Sequence, residues 1–498
     1  MTDAVVIGSG PNGLAAAIRL AEAGRSVVVC EAADGAGGAV RTEELTLPGF
    51  RHDTFSAVHP AAAASPVWAR MPLAAHGLEW VHPEACSAHP LPDRPAAVLY
   101  RDVERTARSL DVQAPGDGER WTQFVTPYLD AFDAVRETML GGFPPIGGPV
   151  HLLLHAGPLR AAGFGRLLPG SAAGLAKRLF HGSGSRAWLY SAAMHGDTPP
   201  DGAGSAVAAF YLNLLGHAVG WPSPRGGAQA LTDALVSYLR TLGGEIRTGA
   251  RIERITSDRG RVTGVAIADG GEVRADIVIA SVMPQALLDM AGPALDGMYR
   301  KVASRYAYGP ATLKLDWALD GPIPWTDEAV RGAGTVHVAG DVDEFERSLA
   351  AARAGRLDRP FLLMGSQSVA DPTRAPAGKH TAWAYTHGPH TIDWSGERER
   401  HIDAIEGQIE RFAPGFRDRI LARHSLGPAE LQARNANLVG GDVGGGSYRL
   451  RQVVFRPIPK LTPYSTPLKG LFIGSAATFP GGAVHGVPGD AAARAALR

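Results

Sequence analysis

The chain has 498 residues, of which 45% are hydrophobic and 20% are charged, and its 49 basic residues balance its 49 acidic ones. These values are typical of a soluble globular protein with room for two sizeable cores, and they argue against a predominantly disordered chain. Because the charges cancel, no global field attracts nucleic acid, and we expect no nucleic-acid partner. Cys30 and Cys86 form no C-x-x-C motif, which excludes a disulfide framework or a dithiol centre.

Targeting and metal motifs are also missing from the sequence. The first strand begins by Ala4, which leaves no room for a signal peptide, and no run of about 18 uninterrupted apolar residues occurs. We therefore expect a cytoplasmic protein. The sequence contains no H-E-x-x-H, no C-x-x-C pair and no G-x-S-x-G, so it predicts neither a metal site nor a hydrolase.

The chain opens with an apolar strand, a glycine turn and a helix that follow one another without a gap. Gly8 suits the tight turn, Gly10 lets the backbone approach a pyrophosphate, and Gly13 lets the helix lie against the strand. Pro11 and Asn12 fall in the first helical turn, where the missing N–H of proline costs nothing. The remaining N–H groups of that turn face an anion above the loop. This stretch predicts a dinucleotide diphosphate site.

A second apolar strand, 26–30, ends at Glu31, whose carboxylate is placed to accept hydrogen bonds from the two hydroxyls of an adenosine ribose. A ribose 2′-phosphate would be repelled there. Ala32 follows directly, and we place it at the same contact. The similar glycine patterns at 182–184 and 332–334 lack a third glycine in register, so the N-terminal motif alone has the required context.

After Glu31 an ordinary nicotinamide dehydrogenase would continue with another helix and strand, whereas this chain has a second glycine-rich loop at 34–41. The loop contains Gly37, Gly38 and Ala39, and it ends at Arg41, which is able to pair with a diphosphate. Two phosphate loops on one long ligand indicate FAD.

Helices follow over the next hundred residues. Asp102 is a plausible cap for a helix over 103–110, and Asp117 for a helix with aromatic residues three and four apart, which we interpret as a core stripe. From 138 to 196 there is no Asp or Glu, and the segment's five Lys and Arg residues stand among leucines. Two interpretations remain open: a solvated basic face over an ordinary core, or an interfacial surface that docks on lipid and admits an apolar substrate.

The remainder of the chain alternates between two kinds of structure. An amphipathic helix over 228–242 and short strands at 245–247, 250–255, 262–267 and 275–280 belong with the nucleotide domain. Strands at 311–317, 361–365 and 381–386 and a helix over 398–412 form a second excursion without a nucleotide loop. We predict an α/β fold in which a Rossmann-like FAD-binding domain (1–60, 222–290 and 458–498) is interleaved with a mixed α+β substrate-binding domain (61–221 and 291–457).

The last thirty residues return to strand, turn and helix. The strand reaches Gly474 and Ser475, and a glycine-rich turn leads through Gly486, Val487 and Pro488 into the closing helix. The N-terminus of such a helix stabilises the negative charge that forms on the pyrimidine side of a reduced flavin. Both ends of the sequence therefore serve one cofactor.

With these motifs at both ends, the sequence resembles the phytoene desaturase-like, carotenoid and retinoid oxidoreductase family of FAD flavoproteins, including its phytoene dehydrogenase-related branch. That family shares a two-domain design with the flavin amine oxidases. The resemblance implies that the 37–41 loop crosses the diphosphate and that the backbone near Ile252 meets adenine. It also implies that 474–475 and 486–488 approach the ribitol and the flavin ring. Two positions depart from the family pattern: Ala39 and Val40 separate the paired glycines from Arg41, and Ser475 stands where many relatives have an acid.

The leading hypothesis is an FAD-dependent oxidoreductase that dehydrogenates (desaturates) C–C bonds of an apolar, isoprenoid or lipid-like small molecule, with oxygen or a quinone as electron acceptor. The alternatives are a flavin amine oxidase-type enzyme, and a flavin-dependent isomerase or binding protein without net redox turnover. The catalytic candidates adjoin segments expected to reach the flavin, and they are His485, His59 and Arg225, with His217 and Trp221 as further candidates.

Overall fold

The computed structural model describes residues 2–196 and 198–498, without the side chains at 450 and 451. Its strands are β1 (Ala4–Ile7), β2 (Val27–Cys30), β3 (Thr42–Glu43), β4 (His52–Asp53), β5 (Trp80–Val81), β6 (Ala85–His89), β7 (Ala97–Leu99), β8 (Ser223–Pro224), β9 (Glu245–Arg247), β10 (Ile252–Asp258), β11 (Arg261–Ile267), β12 (Glu272–Arg274), β13 (Ile277–Ala280), β14 (Ala311–Leu319), β15 (Ala333–Val338), β16 (Leu362–Gly365), β17 (His380–Gly388), β18 (Ile420–Leu426) and β19 (Leu471–Ile473).

The α-helices are α1 (Pro11–Glu22), α2 (Pro60–Ala63), α3 (Val103–Asp111), α4 (Asp117–Asp130), α5 (Phe132–Leu140), α6 (Gly147–Ala156), α7 (Pro158–Leu167), α8 (Ala172–Leu179), α9 (Ser183–Ala193), α10 (Ser205–Ala218), α11 (Gln229–Thr241), α12 (Pro284–Ala291), α13 (Met298–Ala303), α14 (Glu328–Arg331), α15 (Val342–Arg353), α16 (Arg398–Glu410), α17 (Pro428–Arg434), α18 (Leu450–Val453) and α19 (Val487–Ala496). Within the described ranges, none of these helices has the length and hydropathy needed to cross a membrane.

A parallel sheet in the order β19-β13-β1-β2-β9 carries the N-terminal motif. Its apolar strands are buried on both faces: Val6 packs with α1, α11 and α19, whereas Val5 and Ile7 pack with the small sheet β10-β11-β12 and α12. Burial on both faces explains why these strands are continuous apolar runs without polar alternation.

A second, mixed sheet has the order β18-β14-β17-β16-β15-β6-β7, and β6 pairs with β15 in parallel. In β14 the odd-numbered residues, such as Leu313 and Leu315, pack in the core behind the sheet together with residues of α16. Because side chains alternate along a strand, Thr312 and Lys314 point to the opposite face, where they line a cavity. This alternation decides which polar groups of the sheet reach the site.

Helices α4 to α10 build a third core around buried aromatic residues, including Trp121, so the predicted core stripe is confirmed. The predicted cap Asp102 is also confirmed, since its carboxylate accepts the N–H of Arg105 at 2.6 Å. The cap predicted at Asp117 is wrong. Gly116 is the cap residue, and the Asp117 carboxylate instead accepts the N–H groups at 181 and 182, at 2.7 and 3.0 Å.

The chain visits the two large sheets alternately. The parallel sheet takes its strands from 4–30, 245–280 and 471–473, and the mixed sheet takes its strands from 85–99 and 311–426. The predicted fold class, a Rossmann-like domain interleaved with a mixed α+β domain, is confirmed. The domain boundaries stay a prediction.

Candidate active site

A cavity of about 1350 Å³ extends from the ends of β1 and β2 to the face of the mixed sheet that carries Thr312 and Lys314. The residues after β1 and β2 form one end, and Thr312 and Lys314 of β14 with Trp383 and Tyr385 of β17 form part of the other. Single drug-sized ligands occupy roughly 300–1,000 Å³, so this cavity has room for a dinucleotide and a second small molecule.

The glycine turn after β1 forms one wall. Gly8 has a φ of +91°, and a Cβ on Gly13 would lie 1.9 Å from the Gly8 carbonyl oxygen. Gly13 therefore permits the close contact of helix and strand, and it does not line the cavity. Gly8, Gly10, Pro11 and Asn12 line it, and Pro11 is the first residue of α1. No side chain caps α1, so its first N–H groups are available to a ligand.

Glu31 lies at the same wall, with Ala32 beside it. One carboxylate oxygen accepts the backbone N–H and the hydroxyl of Ser9, at 2.8 and 2.6 Å, and the other accepts the N–H of Ala33 at 2.9 Å. These bonds fix the orientation of the carboxylate. Since a carboxylate has about four acceptor positions, the second oxygen still has room for a ribose hydroxyl.

The second glycine loop lies directly on the first. The Gly37 N–H donates to the Ser9 carbonyl at 3.2 Å, and a Cβ on Gly38 would lie 2.9 Å from the Gly10 Cα. Gly38, with a φ of +56°, lines the cavity together with Ala39 and Arg41, whereas Gly37 packs against neighbouring backbone. The guanidinium of Arg41 is 3.5 Å from Glu43, a distant contact that leaves most of its donors free for an anion.

The C-terminal helix α19 packs against α1. A Cβ on Gly489 would lie 1.7 Å from the Asn12 carbonyl oxygen, and the Asp490 carboxylate is 2.8 Å from the Arg19 guanidinium. The two helices therefore begin side by side at one end of the cavity. Of the C-terminal residues predicted to approach the ligand, Ser475 lines the cavity, whereas Gly474 (which packs against Gly489), Gly486, Val487 and Pro488 stand behind the wall.

Ile252, at the start of β10, lines the cavity at the nucleotide end. The segment 433–438, which includes the last two residues of α17, lines it too and was missed by the sequence analysis. Arg434 lies 3.0 Å from Glu43, the same carboxylate that Arg41 approaches, so two guanidinium groups face this wall. The Asn437 side chain links the segment to the parallel sheet, since it donates to the Ser281 carbonyl and accepts the N–H of Met283, both at 3.1 Å. A polar Arg-Asn-Ala-Asn run was the only sequence signal.

His485 lines the cavity, but both of its ring nitrogens are engaged. Nδ1 accepts the backbone N–H of Val487 at 3.2 Å, and Nε2 donates to the Gly482 carbonyl at 3.1 Å. Burial lowers the pKa of His485 to about 4, which keeps the ring neutral. This arrangement shapes the turn before α19, and the catalytic role predicted for His485 stays a prediction.

The other catalytic candidates divide between the cavity and the surface. His59 lines the cavity, its Nε2 lies 3.2 Å from the Ser56 hydroxyl, and burial lowers its pKa to about 4. Trp221 lines it as well. His217 accepts the indole N–H of Trp121 inside the helical core, and it does not line the cavity.

Arg225 also lies outside the cavity wall. Its half-exposed guanidinium pairs with Glu79 at 2.7 Å on the protein surface. The sequence placed Arg225 beside a segment near the flavin, but the turn at 224–227 directs this side chain to solvent. We therefore give it no part in the chemistry proposed below.

The sheet end of the cavity holds polar groups that sequence reasoning did not identify. His195 lines the cavity, and its Nε2 lies 2.8 Å from the Nε2 of His337. Burial lowers the pKa of His195 to about 3 and that of His337 well below its usual value, so both rings are neutral. The hydroxyls of Thr335 and Tyr211 are buried in the wall without a hydrogen-bond partner among the described residues. These four residues come from segments that are far apart in the sequence, so no local motif indicates the site.

Lys314 contributes the one ammonium group on the described part of this wall. Its Nζ lies 2.5 Å from both carboxylate oxygens of Asp316, two residues along the same strand. Both side chains are buried, and the formal charges of the ammonium and the carboxylate offset one another. The acidic residues that line the cavity, Glu31, Glu253 and Asp289, belong to elements around the parallel sheet.

These features fit FAD. Gly10 has no atom within 3.9 Å of an added Cβ, which leaves room for a diphosphate over the N-terminus of α1. The side-chain oxygen of Asn12 in that turn is buried without a partner among the described residues. Glu31 suits a ribose without a 2′-phosphate, and Arg41 and Arg434 supply positive charge beside the diphosphate position.

A model of the family described as flavin containing amine oxidoreductase matches residues 12–496. The chain belongs to this family. It is 28% identical to "Pyridine nucleotide-disulfide oxidoreductase domain-containing protein 2" of Mus musculus, across 100% of this chain and 93% of that protein. It is 27% identical to "Phytoene desaturase (neurosporene-forming)" of Rhodobacter capsulatus, across 98% of this chain and 92% of that protein. The solved structure of an oxidoreductase from Methanosarcina mazei matches 99% of both chains, with a TM-score of 0.66 and 18% identity.

Membership of the flavin-containing amine oxidoreductase family confirms FAD as the cofactor and oxidoreductase as the class of enzyme. The resemblance to phytoene desaturases inferred from the two ends of the sequence is confirmed as well. In this family member the glycine loops, Glu31 and Arg41 surround the nucleotide end of the cavity, and the mixed sheet closes the other end.

Proposed function

We propose that the protein is a phytoene desaturase-like dehydrogenase that introduces a C–C double bond into an uncharged, apolar small molecule of the isoprenoid or lipid-like class. The observation that supports this most directly is the wall of the sheet end, which combines aromatic and aliphatic side chains with neutral polar groups. Its members include Ala193, His195, Tyr211, Leu212, Leu215, Trp221, Thr335, Trp383 and Tyr385.

The charges on this wall favour a neutral substrate. The imidazoles of His195 and His337 are uncharged because burial lowers the pKa of both. The ammonium of Lys314 is neutralised by Asp316. A substrate cation or anion would be desolvated here without an unpaired counter-charge, which is costly, whereas an apolar molecule is favoured by its own burial.

Dehydrogenation of a C–C bond removes a hydride and a proton, and oxidised FAD, when bound, supplies the hydride acceptor that no protein side chain provides. The protein positions the substrate and excludes water from the site. Tyr211, Trp221 and Tyr385 supply flat apolar surface that orients an alkyl or polyene chain. His195 lines the cavity and its Nε2 is held by His337, so Nδ1 is the ring nitrogen that remains to exchange a hydrogen bond with one polar group of the substrate.

The proposal is tested by anaerobic mixing of the FAD-loaded protein with matched compounds, with loss of the visible flavin absorbance as the signal. Each pair has one carbon skeleton, as an isoprenoid hydrocarbon or alcohol and as the corresponding primary amine. We expect bleaching by members of the uncharged set, a desaturated product, and no bleaching by the amines. Oxygen or a quinone then restores the absorbance.

Two results would contradict the proposal. Bleaching by amines alone would indicate an amine oxidase, the activity after which the family is described. Conversion of a compound without any acceptor and without bleaching would indicate an isomerase.

A further inference from the structure

Large hydrophobic side chains on the surface are concentrated in two segments, 146–168 and 443–461. These segments hold ten of the fourteen large exposed hydrophobic side chains found among the described residues. In the first segment, α6 and α7 present Leu154 and Leu159, which are 74% and 88% exposed. Scattered exposed leucines are ordinary, but a contiguous group marks an interaction site.

The two segments adjoin one another. The ring of Phe143, just before α6, lies 6.0 Å from the ring of Phe455 and 5.7 Å from the ring of Phe479. We call the exposed hydrophobic side chains of 146–168 and 443–461 together the apolar face.

The charged residues of the chain segments that form the apolar face all have one sign. One acidic neighbour comes from outside them: Glu137 of α5 lies 2.9 Å from His151 of α6. Neither 138–196 nor 443–489 contains an Asp or a Glu. Arg160, Arg166, Lys177, Arg178 and Arg449 are exposed in these segments. The whole chain has a formal net charge of zero, so this distribution is local and does not reflect a general excess of basic residues.

The cavity reaches the surface at the apolar face. Leu168, Val443 and Val454 are exposed and also line the cavity, and Met139 and Leu140 continue the apolar wall inward. A molecule that leaves an apolar phase at this face therefore meets apolar side chains where it enters the cavity.

We propose that the apolar face docks on a lipid bilayer that contains anionic lipid. Helices α6 and α7 have ten residues each, which is too short to cross a bilayer. They therefore lie in the interfacial plane, with their leucines among the acyl chains and the basic residues at the headgroups. Self-association through the same face would bring two basic sets together, and their repulsion favours an anionic surface over a second copy of the chain. Docking places the cavity opening against the hydrocarbon.

The docking inference goes beyond the proposed activity, because vesicle binding is measured without substrate or turnover. The experiment is co-sedimentation of the FAD-loaded protein with vesicles of phosphatidylcholine, with and without phosphatidylglycerol. We expect binding to the anionic vesicles, weaker binding to pure phosphatidylcholine, and loss of binding as salt screens the basic residues.

The decisive variant is the double change Leu154→Asp and Leu159→Asp. Its matched control is Val112→Asp with Leu421→Asp, since both side chains are exposed, Val112 follows α3, which packs on α4 and β7, and Leu421 lies on the edge strand β18 of the mixed sheet. The first variant loses two insertable leucines, so we expect its vesicle affinity to fall by about tenfold or more. The control is expected to bind as the unaltered protein does. Retained flavin absorbance and an unchanged circular dichroism spectrum show that each variant is folded.

Three results would overturn the inference. One is an unaltered protein that stays in the supernatant with anionic vesicles. Another is an equal loss of binding in the control variant. The third is a protein that binds no vesicles but elutes as an oligomer that the first variant converts to a monomer, which would make the face a contact between copies of the chain.

Discussion

Replacement of Gly10 by valine is expected to weaken FAD binding strongly while the protein still folds. Gly10 has a φ of −64° and a ψ of 174°, values open to any L-residue, and the atom nearest to an added Cβ is the Gly38 Cα at 3.9 Å. The protein itself therefore has room for the new Cβ. The FAD diphosphate does not, because the branched side chain would occupy its position above the first turn of α1.

The loss of affinity follows from the contacts at that turn. If the diphosphate is displaced from two backbone N–H groups, and each hydrogen bond to a charged group contributes about 1.5 kcal/mol, binding weakens by about 3 kcal/mol. That is more than about a hundredfold in the dissociation constant. The apoprotein is expected to keep its melting temperature.

The assay compares flavin content, FAD titration and thermal unfolding of Gly10→Val with those of Gly165→Val. An added Cβ at Gly165, on α7, meets no atom within 4 Å, so this control introduces the same side chain away from the nucleotide loops. Full flavin occupancy in the Gly10 variant would refute the assignment of the loop. A collapsed apoprotein would refute the steric reasoning.

The remaining predictions concern folding, the turn before α19 and pH. Gly13→Ala is expected to destabilise the apoprotein itself by about 1–3 kcal/mol, because its Cβ would lie 1.9 Å from the Gly8 carbonyl oxygen; unfolding in denaturant measures this, and an unchanged midpoint would contradict it. His485→Ala is expected to alter turnover while flavin is retained, and unchanged kinetics would restrict His485 to packing. Burial lowers the pKa of His195 to about 3 and of His59 and His485 to about 4, below the unfolded value of about 6.5. The unfolded chain therefore binds more protons in acid, so stability is complete above pH about 6.5 and falls toward pH about 4, by about 1.4 kcal/mol per unit of lowered pKa. A melting temperature that stays constant from neutral pH to this acid range would exclude the effect.

The nucleotide end of the site was predictable because its determinants are local. Gly8, Gly10 and Gly13 act within one strand-turn-helix unit, and Glu31 follows the next strand, so sequence spacing fixes their relative positions. The structure adds why the second loop needs Gly38: a Cβ there would meet the Gly10 Cα at 2.9 Å. That contact joins residues 28 positions apart, yet both loops were recognisable separately.

The sheet end was not predictable in the same way. His195 and His337 are 142 residues apart, and their contact depends on how α9 packs on the mixed sheet. Arg434 reaches the nucleotide loops from a segment that the sequence assigned to the other domain. Arg225 is the opposite case. It is close in sequence to a segment expected to reach the flavin, but its side chain pairs with Glu79 at the surface, because sequence position does not determine the direction of a side chain on a turn.

If both ends of this chain enclose one FAD, the purified protein binds flavin in a fixed ratio to protein. Acid release and chromatography of the extracted flavin give the molar ratio. We expect one FAD per chain, either as purified or after incubation with added FAD. Folded protein that is colourless and takes up no FAD would contradict it.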